Sequence, residues 1–322
     1  MSELTLGRIS FSHLPGWNGD QIQKTVPALK YSAPLVLKEE TLKRWHPFYH
    51  ALLTLNDTTT TEQDLRSLIV KFFDPYQLSM KKQFFHFTGY YEPFLKGSVA
   101  KKGPYQTPLY TLPPETVNFK IPRSQIVQGA LADQGLELVW VDDPVAAFFL
   151  QIQGSGRIQL DNGTMLNIGY AGTNRHPYYA IGKTFVEKGI FSIQETSMQT
   201  ISQWLRDHPD ESEVIMSQNQ SYVFFKIITG HGPIGTQKVP LTPERTLAVD
   251  PQYFPLGSLL WVKMPHPLTK NDLQRLVVAQ DTGGVIKGPF RGDYFWGFGD
   301  QAEKAAGCMN TLGEAFIFLP KD

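Results

Sequence analysis

Cysteine is nearly absent from this chain of 322 residues, which contains only Cys308. One thiol excludes an internal disulfide, and it also excludes a zinc or iron–sulfur site built from several cysteines. We expect Cys308 to be a small buried hydrophobic residue. The eight histidines include no His-Glu-x-x-His pattern, the pair of helix-borne ligands typical of a zinc peptidase. The sequence therefore predicts neither a metal nor a cofactor.

An excess of charge of either sign is absent as well, because 30 basic residues balance 30 acidic ones. No long-range field steers the protein towards nucleic acid or an anionic membrane surface, so a neutral or zwitterionic partner is expected. Long apolar runs are also missing. The longest, such as Val145 to Leu150, fall far short of the roughly 20 residues of a membrane helix. The chain as given is expected to be soluble, and a signal or lipid anchor removed earlier would leave no trace in it.

Glycine, proline and aromatic residues are plentiful, with 27 Gly, 23 Pro, 21 Phe, 13 Tyr and 6 Trp. This composition favours short strands joined by many turns, with flat rings available for stacking. Six short segments rich in β-branched or aromatic residues and bounded by turn residues predict strands. They are Leu136–Val141, Ala146–Gln153, Tyr222–Ile228, Ser258–Val262, Leu276–Gln280 and Ala315–Leu319.

Three segments show the pattern of helices. Apolar residues at three- and four-residue spacing predict an amphipathic helix from Thr41 to Leu55. Thr60 with Gln63, and Ser192 with Glu195, have the spacing of capping boxes and predict where two further helices begin. Strands over the whole length with few helices between them predict barrels and not a βαβ sheet.

The length fits about two domains of roughly 150 residues each. The chain has no internal repeat, low-complexity tract or Gly/Ser linker between them. Two domains without a linker are most simply one domain inserted into another. We expect the chain to cross between them just after Pro93 and near Gly230.

Two carboxylates, Asp281 and Asp293, flank a Gly-rich loop, and three aromatic residues follow the second of them at 294–296. An acid catalyst acting on a sugar needs a carboxyl group that stays protonated near neutral pH, and apolar surroundings raise the pKa of such a group. The aromatic residues could supply those surroundings for Asp293. The alternative is that Asp281 caps a turn, Asp293 is solvated and the rings are ordinary core.

The tripeptide Asp281-Thr282-Gly283 is also the signature of aspartic peptidases. A peptidase of this type pairs two such aspartates, and the tripeptide occurs once in this chain. Polar and Gly-rich segments elsewhere suit recognition of a hydroxyl-rich ligand, notably Gln153 to Gly156 and Gly169 to Tyr178. A carbohydrate-binding module without catalysis and an aspartic-type peptidase using Asp281 are therefore kept as alternatives to a sugar-cleaving enzyme.

Five motifs occur in order along the chain and are known together from one family. They are Thr88-Gly89-Tyr90-Tyr91-Glu92-Pro93, Gln153-Gly154-Ser155-Gly156, Gly169-Tyr170-Ala171-Gly172 with Asn174 and His176, Ser221-Tyr222-Val223-Phe224-Phe225, and Asp281-Thr282-Gly283-Gly284 through Trp296-Gly297. The sequence resembles the membrane-bound lytic transglycosylase A family over nearly its whole length.

The resemblance implies a mainly β fold with some α-helix: a double-psi β-barrel domain, a smaller inserted β-barrel domain and a glycan groove between them. It places the catalytic barrel domain, with N-terminal helices, at 1–93 and 230–322, and the inserted domain at 94–229. The implied activity is that of a peptidoglycan lytic transglycosylase. Such an enzyme cleaves the β-1,4 bond between N-acetylmuramic acid and N-acetylglucosamine and forms 1,6-anhydromuramic acid.

By motif position, the resemblance implies that Asp293 is the single general acid and base, with Asp281 as the second catalytic carboxylate. It implies glycan strands of peptidoglycan as the partner, no nucleic acid, a monomer, and a place at the periplasmic face of the outer membrane of a Gram-negative bacterium. It also implies a lipid anchor to that membrane, and we expect the sequence as given to contain no signal or lipobox for one. The predicted substrate-binding residues are Thr88, Tyr90, Gln153, Gly154, Ser155, Tyr170, Ala171, Gly172 and Asn174.

Overall fold

The computed structural model describes residues 5–56, 59–79, 83–230 and 232–322. These residues form two compact units. The first unit contains Met1–Tyr90, Ile234–Gly297 and Cys308–Asp322, and the second contains Tyr91–Pro233 and Phe298–Gly307. The predicted domain limits, 1–93 with 230–322 and 94–229, stay a prediction, since compact units and folding domains need not coincide.

Fourteen strands lie in the described ranges. They are β1 Thr5–Arg8, β2 Phe73–Ser79, β3 Phe85–Glu92, β4 Phe94–Ser98, β5 Thr107–Tyr110, β6 Glu137–Val141, β7 Ser155–Leu160, β8 Met165–Thr173, β9 Val223–Ile227, β10 Thr246–Ala248, β11 Leu259–Pro265, β12 Asp272–Asp281, β13 Arg291–Phe298 and β14 Asn310–Pro320.

Nine α-helices accompany these strands in the same ranges. They are α1 Val26–Val36, α2 His46–Leu53, α3 Glu62–Phe72, α4 Arg123–Gln125, α5 Pro144–Gln153, α6 Gly182–Glu187, α7 Met198–Asp207, α8 Pro209–Ser217 and α9 Asp300–Cys308. Short 3₁₀ helices span Phe11–His13, Trp17–Gly19, Ile22–Thr25 and Glu40–Trp45, and a π-helical turn spans Ile126–Ala130.

Six strands close into a barrel in the first unit. Strands β14, β11, β12, β10, β13 and β3 follow one another, and β14 also pairs with β3, which completes the ring. Strands β2 and β1 extend the sheet beyond β14. Helices α1 to α3 pack onto this sheet through a shared apolar core that includes Leu29, Phe48, Ile69, Trp261 and Phe318. The closed ring gives strands β10, β12 and β13 fixed neighbours on both sides.

A second six-stranded sheet, in the order β5-β6-β4-β7-β8-β9, forms the centre of the second unit. A parallel bridge between Thr111, just after β5, and Phe225 in β9 links its two edge strands. This bridge bends the sheet towards closure, as a small barrel requires. Helices α5 to α8 build a separate apolar cluster around Phe148, Phe185 and Leu205.

Five of the six predicted strands are confirmed, and Ala146–Gln153 is wrong. This segment lies in helix α5, which begins after Asp143, whose carboxylate accepts hydrogen bonds from the backbone N–H groups of Val145 and Ala146. The helix is buried on most sides, with Phe148 and Leu150 among its buried residues. A continuous apolar run of this length does not distinguish a buried helix from a buried strand. The Asp143 cap is a signal that favours the helix.

The predicted helix at 41–55 is present as a 3₁₀ turn, Glu40–Trp45, followed by α2. The capping box of α3 lies one residue later than predicted, because Thr61 and Asp64 exchange the two hydrogen bonds that were assigned to Thr60 and Gln63.

Ser192 and Glu195 do exchange capping hydrogen bonds, but the helix itself starts later, at Met198. Pro209 occupies the first turn of α8, where proline's missing N–H costs nothing. Cys308, the last residue of α9, is exposed, contrary to the expectation of burial; the buried residues of this helix are Ala302, Ala305 and Ala306. Within the described ranges, no helix combines the length and the apolarity needed to span a membrane.

Candidate active site

Strand β10 lies between the two loop carboxylates. Ala248 is the register partner of Asp281 in the parallel ladder with β12 and of Asp293 in the antiparallel ladder with β13. Residues that are directly opposite in a ladder project to the same face of a sheet. With about 4.8 Å between neighbouring strands, the two aspartate backbones lie about 10 Å apart across Ala248. The barrel therefore presents both carboxylates on one face.

A bulge in β12 determines which side chain faces this site. Leu247 pairs with Ala279, but Ala248 pairs with Asp281, so Gln280 is an extra residue in the ladder. The Gln280 side chain is fully buried, and its amide donates to Ala28 O and Ser32 Oγ at 3.0 Å each. Without the extra residue, Gln280 would occupy the place of Asp281. Bulges commonly re-aim a side chain in this way beside functional sites.

Asp281 is held by four hydrogen bonds. Its Oδ1 accepts from Thr236 N at 2.8 Å, Thr236 Oγ1 at 3.0 Å and Thr282 N at 2.9 Å, while its Oδ2 accepts from the Tyr90 hydroxyl at 3.1 Å. Burial raises the pKa of Asp281, and these donors oppose that effect. These hydrogen bonds favour the carboxylate anion. Asp281 therefore caps a turn, as the alternative interpretation predicted, and it also lies in the candidate site.

Asp293 has a different environment. Its Oδ1 accepts one short hydrogen bond, 2.6 Å long, from the Thr88 hydroxyl. Burial raises the pKa of Asp293 to about 6, although the hydrogen bond from Thr88 and the positive charge of Arg291 lower it and the charge of Asp281 raises it slightly. Between the described residues, no hydrogen bond joins the two carboxylates. One carboxyl is therefore held as an acceptor, and the other is poised to carry a proton near neutral pH.

Only part of the aromatic cluster 294–296 faces Asp293. Because side chains alternate along a strand, Phe295 shares the face of Asp293, and its ring packs 5.0 Å from that of Tyr90. Tyr294 and Trp296 project to the other face, where Tyr294 donates to Glu244 O at 2.8 Å. The sequence predicted that all three rings at 294–296 would surround Asp293. On its face of the sheet, the aromatic rings are those of Phe295 and Tyr90, and Tyr90 was predicted as a substrate-binding residue instead.

The predicted binding residues of the Gln153 motif lie in the second unit, at the junction of α5 and β7. Gly154 ends the helix with φ 81°, a left-handed conformation that suits glycine. Gln153 Oε1 accepts from Tyr91 N at 3.1 Å, and Ser155 begins β7 opposite Gly169. The turn joins helix α5 to strand β7, whereas the sequence predicted a strand, Ala146–Gln153, in front of it.

Tyr170, Ala171 and Gly172 lie at a bulge in β8, where the ladder with β9 shifts register. Tyr170 is 54% exposed, so its ring is open to a ligand. Asn174 is fully buried, and its amide binds four backbone groups: it donates to Ile121 O and Gln220 O and accepts from His176 N and Tyr222 N. Asn174 thus connects three chain segments. Its predicted role as a ligand-binding side chain is corrected to a structural one.

Two residues near the aspartates were missed by the sequence analysis. Thr236 gave no signal, because its contact with Asp281 bridges 45 residues of chain. Arg291 could have been found, since it lies two residues before Asp293 and strand alternation places both on one face.

The described residues include no group of three or more His, Cys, Asp or Glu side chains arranged to hold a metal ion. His46 and His50 are four residues apart, but His46 Nε2 is bonded to Val36 O at 2.9 Å. Among the described residues, the side-chain partners of the two aspartates include the hydroxyls of Thr88 and Thr236 and the phenol of Tyr90.

Two family models match the chain: the MltA specific insert domain at residues 86–226 and the 3D domain at residues 245–319. Membrane-bound lytic murein transglycosylase A of Escherichia coli K12 is 35% identical over 242 residues, which is 72% of this chain and 64% of that relative. The chain therefore spans just under two thirds of the length of the curated relatives it matches.

Solved structures match this chain over a larger share of their own length. The lytic transglycosylase LtgG of Burkholderia pseudomallei is 38% identical over 100% of this chain and 98% of that one, with a TM-score of 0.68. The chain belongs to the MltA family. E. coli MltA with bound chitohexaose has a TM-score of 0.80 at 26% identity and covers 98% of this chain and 95% of its own. The predicted class, a double-psi β-barrel with an inserted domain, is the fold of these MltA structures and is confirmed.

Proposed function

We propose that this MltA-family chain is a peptidoglycan lytic transglycosylase that cleaves the β-1,4 bond between N-acetylmuramic acid and N-acetylglucosamine. The observation that carries the proposal is the environment of Asp293, a carboxyl whose pKa burial raises to about 6. Such a group is protonated often enough near neutral pH to act as a general acid and is also able to act as a base. The match to MltA bound to chitohexaose supports a β-1,4-linked N-acetyl sugar as ligand.

In the proposed reaction, Asp293 donates its proton to the glycosidic oxygen as positive charge develops at C1 of the muramic sugar. The resulting carboxylate then accepts the proton of the C6 hydroxyl of the same sugar, and that oxygen closes on C1. Because the nucleophile belongs to the substrate, ring closure has the rate advantage of an intramolecular reaction. The product is 1,6-anhydromuramic acid, and Asp293 regains its proton.

Asp281 has a supporting part in this scheme. An ordinary glycosidase uses its second carboxylate to activate water or to attack the sugar. Here three donors occupy Asp281 Oδ1 and the Tyr90 hydroxyl binds Oδ2. We assign Asp281 the role of a fixed negative charge that opposes ionisation of Asp293 across Ala248. The same geometry disfavours an aspartic peptidase, whose two carboxylates share one proton.

The glycan is proposed to bind through polar, aromatic and glycine residues suited to neutral sugars: Thr88, Tyr90, Gln153, Gly154, Ser155, Tyr170, Ala171 and Gly172.

We also propose a monomer, the domain division 1–93 with 230–322 and 94–229, and a place at the periplasmic face of the outer membrane. Light scattering of the purified chain tests the first of these. Cell fractionation tests the last, and recovery of the protein in the cytoplasm would exclude it.

The mass of the muramic product decides between transglycosylase and hydrolase. Digestion of purified peptidoglycan should release muropeptides one water lighter than hydrolysis gives, and Asp293→Asn should release almost none. Muropeptides with reducing muramic ends would exclude the transglycosylase, whereas tight glycan binding without products would favour a binding module. The scheme uses no metal, so EDTA should not change the rate.

A further inference from the structure

Arg291 and Asp293 project from the same face of β13. Gly292 lies between them, and a Cβ atom at Gly292 would be 2.8 Å from Phe85 Cε1 and 3.2 Å from Leu247 Cδ1. Phe85 and Leu247 are buried inside the barrel. Since neighbours in a strand point to opposite faces, Arg291 and Asp293 point away from this core.

The Arg291 guanidinium has few hydrogen-bond partners among the described residues. Its hydrogen bond from Nη1 to His86 O is long, at 3.4 Å. No carboxylate of the described residues lies within ion-pair distance of it, although Asp293 is near enough to raise its pKa against the lowering effect of burial. A guanidinium has five N–H donors and keeps its charge in proteins. A half-buried cation with so few protein partners is suited to bind an oxygen-rich group of a ligand.

Arg291 lies close enough to Asp293 to contact a second group on the same sugar ring of the proposed substrate. Residues two apart in a strand are about 6.7 Å apart, and arginine adds a long side chain. Asp293 would act at the bond to C1 of muramic acid, and the D-lactyl ether is attached to C3 of that same ring. N-acetylglucosamine has a hydroxyl there instead. The lactyl acyl oxygens are the planar acceptors that the guanidinium fork matches best.

We propose that Arg291 binds the acyl oxygens of the lactyl group and thereby selects muramic acid for the ring that Asp293 attacks. The group is a carboxylate in glycan strands stripped of their stem peptides and an amide carbonyl in strands that carry them. This inference rests on the proposed function, and it makes Arg291 a specificity residue of the same site.

The test measures affinity in an Asp293→Asn background, where cleavage is stopped and any effect of Arg291 on the ionisation of Asp293 is removed. The ligands are stripped glycan strands, strands with stem peptides, and chitohexaose, which has no lactyl group. Adding Arg291→Gln should weaken binding of stripped strands by roughly 10- to 100-fold, as for loss of a charge-assisted hydrogen bond. Peptide-bearing strands should lose less, and chitohexaose should lose nothing.

Lys287→Gln in the same background is the matched control, because it removes one positive charge from the exposed loop that precedes β13. It should change none of the three affinities. Arg291→Lys keeps the positive charge but lacks the planar guanidinium, so it should cause an intermediate loss of affinity for stripped strands. It serves as the test variant if thermal unfolding shows that Arg291→Gln does not fold.

Equal losses for all three ligands, or no loss for stripped strands, would overturn the inference. The proposed function would survive either result, since it depends on whether the native protein forms the anhydro product. Conversely, the native protein could bind stripped strands selectively and yet release products with reducing muramic ends. That result would support the selectivity role of Arg291 and refute the proposed transglycosylase activity.

Discussion

The Thr88 hydroxyl donates a 2.6 Å hydrogen bond to Asp293 Oδ1. This bond stabilises the carboxylate and lowers the pKa of Asp293, against the larger effect of burial. Thr88→Val keeps the shape and removes the donor, so the pKa should rise above about 6. The high-pH limb of the profile of kcat/KM should then move upward by about one pH unit.

Thr88→Ser is the matched control, because it retains the hydroxyl and should keep the limb where it is. A limb that moves downward in Thr88→Val, or that moves equally in both variants, would mean that Thr88 does not stabilise the Asp293 anion.

The two aspartates should respond unequally to the same change. Asp293→Asn removes the group that both donates and accepts the proton, so turnover should fall by about 10⁴-fold or more with glycan affinity retained. Asp281→Asn should leave measurable activity. Because the negative charge that opposes ionisation of Asp293 is lost, the high-pH limb should move to lower pH.

Rates of anhydromuropeptide release from pH 4 to 9 measure both effects. The mass of each variant excludes deamidation back to aspartate. Two equally inactive variants would indicate a dyad in which both carboxylates exchange the proton, and an active Asp293→Asn would refute the assignment of the catalytic acid.

The raised pKa of Asp293 also predicts a cost in stability. Its ordinary value is 3.8 and its value in the fold is about 6, so between these pH values the unfolded chain loses a proton that the folded chain keeps. Stability conferred by the protonated group is lost as pH rises through this window. Asp293→Asn should therefore gain stability over the native protein at pH 7.5, by roughly 2 to 4 °C in Tm, and little at pH 4. An equal gain at both pH values would show that ionisation is not the cause.

The sequence was sufficient to find Asp281 and Asp293 but not to predict how they meet. Their separation of twelve residues places them on different strands, and Ala248, which aligns them, lies more than thirty residues before Asp281. The bulge at Gln280 has no local signature, because a buried glutamine reads as an ordinary polar residue of a strand. Its partners Ala28 and Ser32 come from α1, about 250 residues away. Long-range hydrogen bonds of this kind cannot be predicted from spacing.

Asn174 illustrates the opposite error, in which a polar loop residue was interpreted as a ligand contact. Its carboxamide satisfies two backbone N–H and two backbone C=O groups and has no exposed surface. Burial could not be inferred from the loop composition, which is polar and aromatic throughout. Ser155, at a comparable place in a motif, remains partly exposed.

This difference leads to a paired prediction for the second unit. Asn174→Ala leaves four backbone groups without their partner, and each buried unsatisfied group costs about 1–3 kcal/mol, so the unfolding free energy should fall by at least about 2 kcal/mol. Glycan affinity of the folded fraction should not change, because no Asn174 atom is available to a ligand. Ser155→Ala removes only an accessible hydroxyl, so its stability should stay within about 0.5 kcal/mol of the native value. Chitohexaose should nevertheless bind less tightly to Ser155→Ala. Urea unfolding and calorimetric titration separate the two effects, and an Asn174→Ala protein of native stability with weakened chitohexaose binding would restore Asn174 as a ligand contact.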